Sequence, residues 1–270
     1  MKHVELVSTM GTVVSLDVRT PARPEALAEA AEAVTARLLA IDELFSAWRP
    51  ESWVSRLISG DVAPQDCPTE VQRLVALAME LMESTDGYFS PFWRRLPYGD
   101  PGPDPTGLVK GWAAQQASDI LVSLGLPDHV VNAAGDVVVS GHPAPTDPAI
   151  PWRIGISDPH TARVLMGVLA LDLRAARWAV ATSGTAELGA HVSDPHTGRF
   201  PRSVVSATAV TRLDSTKEGA AVADACATAL VGSGAKAQAV LEELTGLGVQ
   251  MFLIANDGSV HDPDQLLCSA

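Results

Sequence analysis

The chain has 270 residues, 47% hydrophobic and 19% charged, which is enough apolar content to bury a core in one large domain or two small ones. A formal charge of −13 argues against non-specific nucleic-acid binding through basic patches, but does not exclude an anionic ligand, because a bound divalent cation can reverse the local field. Cys67, Cys226 and Cys268 are too scattered for a metal cluster or a disulfide framework, no apolar run reaches membrane-spanning length, and Met1-Lys-His-Val-Glu5 carries no export signal, so a reducing cytoplasmic setting is expected.

Residues 2 to 19 predict a hairpin or a bent strand, with Val14, Leu16 and Val18 alternating against polar neighbours and Met10-Gly11-Thr12 interrupting the pattern. Gly11 fits a bulge or a close ligand approach, and Met10 reads equally as core filler or ligand contact. From Pro24, the residues Leu27, Ala31, Val34, Leu38, Ile41, Phe45 and Trp48 form one helical stripe. A second helix is expected over 70–84, opened by a Thr69-x-x-Gln72 capping box and closed at Asp86-Gly87. Residues 91 to 106 hold five prolines and read as a loop, followed by a helix ending near Gly125.

His129 to Val139 predicts two short strands around a turn, and Trp152 to Ile156 and Val164 to Leu173 predict two more. The apolar run Trp178-Ala-Val-Ala181 predicts a strand ending in a polar loop at Thr182-Ser183-Gly184. Asp194-Pro195 with Thr197-Gly198 predicts a turn, and His191 lies between the two. Ser203 to Thr211 is a further strand, and Ser215-x-x-Glu218 a capping box for the helix bearing Asp224 and Thr228. A helix over 234–244, a strand over 249–255 and a hairpin at Asp257-Gly258 complete the chain. Strands with hairpin-like neighbours, interleaved with helices, indicate an α+β fold.

Asp224 and Thr228 are four residues apart and share a helix face, giving a carboxylate and a hydroxyl suited to magnesium. Taken alone, this pair reads as a partly buried Asp and a Thr bonded back to its own turn. The metal reading gains from the company of His191 and Thr182-Ser183-Gly184. Cys226 lies off that face and reads as packing.

His191-Val-x-Asp194-Pro195-x-Thr197-Gly198, preceded by Thr182-Ser183-Gly184, resembles the ApbE family of FAD:protein FMN transferases. The resemblance continues, in the family's order, through Met10-Gly11-Thr12, Asp104-x-x-Gly107-x-x-Lys110-Gly111, Trp152-x-Ile154-Gly155-Ile156-x-Asp158-Pro159 and Ala223-Asp224-Ala225-x-Ala227-Thr228-Ala229. It spans nearly all of residues 1–270 and implies one compact domain with antiparallel sheets packed by helices, related to the tunnelling fold. It implies a Mg2+-dependent transferase that moves FMN from FAD to a Thr or Ser hydroxyl of an acceptor flavoprotein and releases AMP. The flavin would be held by Met10, Trp48, the turn Tyr88-Phe89-Ser90, Asp104, Lys110, His191 and Val192. The metal would be held by Asp224, Thr228 and a Gly107 carbonyl, with His191 and Asp224 catalytic.

The chain departs from the family at Ile58, Ser90, Gln115 and Ala134, where an Asn, two carboxylates and a Gly are usual. These departures keep two alternatives open: hydrolysis of FAD to FMN and AMP, and flavin binding without catalysis. A Ser183-His191-Asp194 triad lacks any Gly-x-Ser-x-Gly elbow and is disfavoured.

Overall fold

The computed structural model describes residues 3–147, 149–171, 177–185, 192–213 and 218–268. The chain opens with β1 (His3–Thr9) and β2 (Thr12–Val18), a hairpin in full register from His3↔Val18 to Thr9↔Thr12. Met10 and Gly11, with φ of 50° and 69°, form its two-residue turn, the handedness that matches the twist of paired strands. Helix α1 (Pro24–Phe45) buries Ala30, Val34, Leu38, Ile41 and Phe45 along one face. It stops before Trp48 because Ser46 turns extended and its carbonyl accepts from the Ser52 and Ser55 hydroxyls, at 2.5 and 3.0 Å. Those serines start α2 (Trp53–Ser59), a helix that the stripe pattern did not mark.

Helix α3 (Thr69–Ser84) forms where expected but without the capping box. Pro68 is its N-cap, and the Gln72 amide donates instead to the carbonyls of Cys67 and Gln65, at 2.7 and 3.1 Å. The proline-rich loop holds one short turn of helix, α4 (Arg95–Tyr98), and a 3-10 turn at Thr106–Leu108 leads into α5 (Val109–Ser123). Next come β3 (His129–Ala133), β4 (Asp136–Ser140), β5 (Trp152–Ser157), β6 (Leu165–Leu171), β7 (Trp178–Gly184) and β8 (Val204–Arg212). Helices α6 (Gly219–Ser233) and α7 (Ala237–Leu244) precede β9 (Gln250–Ala255), β10 (Val260–His261) and β11 (Leu267–Cys268). Residues 215–217 of the proposed capping box before α6 lie outside the described residues.

One eight-stranded sheet runs β1-β2-β3-β4-β7-β8-β9-β10 and a small sheet runs β11-β6-β5, with every pairing antiparallel. The architecture is therefore α+β, as expected. Strand parity divides the large sheet between two cores. Val14, Leu16, Val131, Val138, Ala179 and Ala181 join the helices in the main core, while Val137, Val139, Val180, Val210 and Phe252 meet Trp152, Ile156, Leu169 and Leu171 of the small sheet. Covering on both faces explains why β4 and most of β8 are buried at successive positions instead of alternating. Among the described residues no helix is long and apolar enough to cross a membrane.

Strand β7 differs from expectation at its end. Thr182, Ser183 and Gly184 do not form a loop but continue the strand, paired with Thr208, Ala207 and Ser206. Hydroxyl pairing makes this polar segment acceptable in a sheet: Thr182 Oγ1 and Thr208 Oγ1 are 2.9 Å apart across the ladder.

His129 starts β3 with its ring fully buried between Ser118 Oγ, 2.8 Å from Nε2, and the Leu126 carbonyl, 2.7 Å from Nδ1. Burial lowers its pKa to about 4. The unfolded chain therefore takes up a proton that the folded one refuses, and stability drains away as pH falls from 6.5 through 4. The stability advantage of the native chain over His129→Gln, measured by denaturant titration, should shrink by about 3 kcal/mol between pH 7 and pH 4. An NMR titration should place the His129 imidazole near 4.

Candidate active site

Helices α5 and α6 cross where neither backbone is screened by a side chain. A Cβ built on Gly111 would lie 2.4 Å from the Ala220 carbonyl oxygen and 3.1 Å from Asp224 Cβ, so only glycine permits this approach. The Gly111 N–H donates to Asp224 Oδ2 at 3.2 Å. One turn before α6 reaches Asp224, the Gln115 side chain accepts from the Ala220 N–H at 3.1 Å, supplying a partner at the open end of the helix. Gln115 thus acts in helix packing, where the family's usual carboxylate is missing.

The crossing brings three charged groups together. Lys110 Nζ is 2.6 Å from Asp136 Oδ2 and 3.7 Å from Asp224 Oδ2. Asp136 heads β4 with the same parity as Val138, which faces the helices, and both carboxylates are 2% exposed. Although 38% of the Lys110 side chain is accessible, its ammonium ends between two buried acids. Burial alone would lower the Lys110 pKa, but Asp136 and then Asp224 hold it above the usual lysine value. Burial first and the Asp136 charge second raise Asp224 to about 7, against the pull of Lys110. Burial likewise raises Asp136. Among the described residues, two carboxylates and one ammonium leave an unbalanced negative charge in a site nearly closed to water.

Hydroxyls flank this trio. Thr228, one helical turn beyond Asp224 and half-buried, has Oγ1 3.0 Å from Ser183 Oγ on β7. The 3-10 turn bearing Gly107 packs against α6. Gly107 lies close to Phe89, whose Cε2 would be 3.1 Å from an added Cβ. Among the described residues no group of three or more His, Cys, Asp and Glu could hold a metal, so a cation here would depend on hydroxyl and carbonyl oxygens as well as carboxylate. The donor chemistry present, hard oxygen with net negative charge, fits magnesium.

The other expected residues fall into distinct surroundings. Tyr88, Phe89 and Ser90 are buried; Tyr88 packs edge-on to His196 with centroids 4.7 Å apart, and Ser90 Oγ accepts from the Phe92 N–H at 3.1 Å. Asp104 is buried with Oδ1 accepting from the Thr106 N–H and hydroxyl, at 2.9 and 2.6 Å, so half of its carboxylate is spent on shaping the turn that carries Gly107. Met10 donates its N–H to Asp42 Oδ1 at 3.1 Å and packs against the main core. Trp48 stands 90% exposed, free of core contacts that would occupy its ring. Val192 packs on the main core, and His191 lies outside the described residues.

The expected turn after His191 is present: Gly198 N–H donates to the Asp194 carbonyl at 2.8 Å, with Gly198 at φ 67°. The Asp194 carboxylate accepts from the His196 N–H and the Thr197 hydroxyl, and His196 Nε2 reaches the Asp86 carbonyl at 2.9 Å, pinning the turn to the end of α3. Of the family departures, Ile58 is core, and Ala134 sits at φ 54° in the β3–β4 turn beside Gly135 at φ 98°. Cys226 is buried with its thiol pushed up to about 12, as a packing residue should be. Asp136 is not among the residues expected in this cluster. The available signal was an acid at the head of Asp136-Val-Val-Val139, a strand otherwise apolar.

A protein-family model described as the ApbE family matches residues 10–97 and 103–252. A Vibrio cholerae protein named FAD:protein FMN transferase is 28% identical over 164 residues, covering 57% of this chain and 46% of the relative. A Rhodobacter capsulatus protein of the same name is 34% identical over 161 residues, covering 56% of this chain and 28% of the relative. The matched stretches thus span less than half the length of these two relatives. The crystal structure of the ApbE protein from Thermotoga maritima superposes with a TM-score of 0.79 at 22% identity, covering 98% of this chain and 97% of that one, which shows a shared fold.

Gly111→Ala tests the crossing that assembles the trio. Its methyl group overlaps a backbone carbonyl, not a mobile side chain, so α5 and α6 must separate. We expect a loss of about 2 kcal/mol in denaturant unfolding.

Proposed function

The chain belongs to the ApbE family, and from that premise we propose that it is an FAD:protein FMN transferase acting on a Thr or Ser hydroxyl of an acceptor protein. The observation that carries this reading is the buried Asp224, set one helical turn from Thr228 and against Lys110, at the close α5–α6 approach that Gly111 permits. An acidic protein can hold the doubly charged pyrophosphate of FAD only where cationic groups offset its field. Lys110 is one such group, and its raised pKa keeps it charged at any working pH.

Asp224, Thr228 and the Gly107 carbonyl would hold a magnesium ion, which when bound supplies charge neutralisation at the phosphates. The protein's own residues do the rest. The acceptor hydroxyl oxygen bonds to the FMN-side phosphorus, the bond from that phosphorus to the AMP oxygen breaks, and AMP leaves. His191, whose imidazole titrates near neutrality when unperturbed, takes the hydroxyl proton. Met10, the exposed Trp48 ring, the Tyr88-Phe89-Ser90 turn and Val192 contact the flavin, and Asp104 and Lys110 its nucleotide portion. Such a reaction asks mainly for positioning and charge stabilisation.

Incubation with FAD, magnesium chloride and a flavoprotein acceptor should move flavin fluorescence onto the acceptor band of a denaturing gel, with one AMP released per label. AMP without label would instead indicate hydrolysis, and tightly bound, unchanged FAD a binding module. Asp224→Ala should abolish labelling, and labelling that survives this change removes the metal assignment.

A further inference from the structure

Asp136 is tied to Lys110 more closely than a shared ion cluster requires. The ammonium is 2.6 Å from Asp136 Oδ2, a full charge-assisted hydrogen bond, but 3.7 Å from Asp224 Oδ2, beyond hydrogen-bonding range. Among the described residues the contacts of Asp224 fall on Oδ2, from the Gly111 N–H and the more distant ammonium. Asp136 Oδ1, by contrast, is buried and makes no full hydrogen bond among the described residues, with only the Thr182 backbone N–H near enough to favour the charged carboxylate. A structural ion pair in a closed interior would spend both carboxylate oxygens. This one makes its full hydrogen bond through a single oxygen, and that oxygen holds Lys110 to one side.

The backbone fixes this preference. Asp136 follows the tight turn at Ala134-Gly135 and enters β4 paired with Ala133, so its side chain cannot follow the ammonium toward α6. Lys110 sits on a flexible stem and could move, whereas Asp224 is clamped by Gly111. Remove the Asp136 charge, and the nearest anion for Lys110 becomes Asp224. The ammonium would then move onto the Asp224 carboxylate and compete with a cation for its charge.

We propose that Asp136 is a positioning residue that draws the Lys110 ammonium away from Asp224 and so keeps the Asp224 carboxylate open to a divalent cation. The inference rests on the metal assignment made above. Its role passes through Lys110 and involves no contact with substrate.

The test is a titration of the FAD-free protein with magnesium chloride, followed by calorimetry and by the thermal unfolding midpoint, together with a crystal structure of Asp136→Asn. Partners that orient metal ligands typically contribute tenfold or more in metal affinity, so Asp136→Asn should weaken magnesium binding about tenfold. In that variant's structure Lys110 Nζ should lie within about 3 Å of an Asp224 oxygen. Adding Lys110→Gln to Asp136→Asn should restore magnesium binding, since the competing ammonium is gone, and Lys110→Gln alone should tighten it. Unchanged magnesium affinity in Asp136→Asn, or an ammonium that stays beside residue 136, overturns the inference alone. Should Asp136→Asn fail to fold, Lys110→Gln decides: tighter magnesium binding supports the inference, and equal or weaker binding overturns it. If the native protein binds no magnesium, or Asp224→Ala binds it equally well, the metal assignment fails and the inference falls with it.

Discussion

One negative charge left unbalanced among the described residues, buried between a sheet and two helices, is the constraint on which the rest of the site depends. Asp136 and Asp224 bring two carboxylates into an interior that Lys110 can only half neutralise. A low-dielectric pocket does not tolerate that state without compensation: it takes up a proton or a cation. The upward displacement of Asp224 to about 7 expresses the first outcome. A magnesium ion would express the second, and would return the carboxylate to its charged form. The same buried charge therefore serves either as a cost to stability or as an affinity for cations, depending on what fills the site.

Assembling such a site requires close backbones, and close backbones require small residues. Gly111 removes the side chain between α5 and α6, and α6 is itself rich in alanine, with Ala220, Ala221, Ala223, Ala225, Ala227 and Ala229 all buried. Strand parity does the matching work on the sheet. Asp136 and Ser183 occupy positions equivalent to Val138 and Ala181, which face the helices, so the polar groups at the strand ends extend the rows that pack the core further in. The functional cluster is thus the polar margin of the main core, held by the elements that hold the core itself.

This arrangement explains what could be read from the sequence. Period-two alternation marks β2, and the helical stripes mark α1 and α3, because each of these buries one face. The end of β7 is not legible, because Thr182-Ser183-Gly184 looks like a turn when cross-strand partners are unknown; the Thr208 partner of Thr182 lies 26 residues away. Helix α2, seven residues long, is too short to show a periodic stripe. That Asp224 and Thr228 share a helix face is legible from their spacing, whereas the pairing of Asp136 is not, since its partner is a lysine on another element. Spacing reveals pairs within an element and is silent about pairs across a fold.

The family departures can be sorted by the same geometry. Ile58 is absorbed into the core, and Gln115 supplies an acceptor to the first turn of α6, a task for which a neutral amide suffices. Ser90 is satisfied by the Phe92 N–H and Met82, and Ala134 bears on the turn that precedes Asp136 through its left-handed φ. None of the four substitutions removes a charged member of the trio. The chain has changed around its buried charges while keeping both acids and the lysine between them, the pattern expected if holding a cation is the property these residues serve.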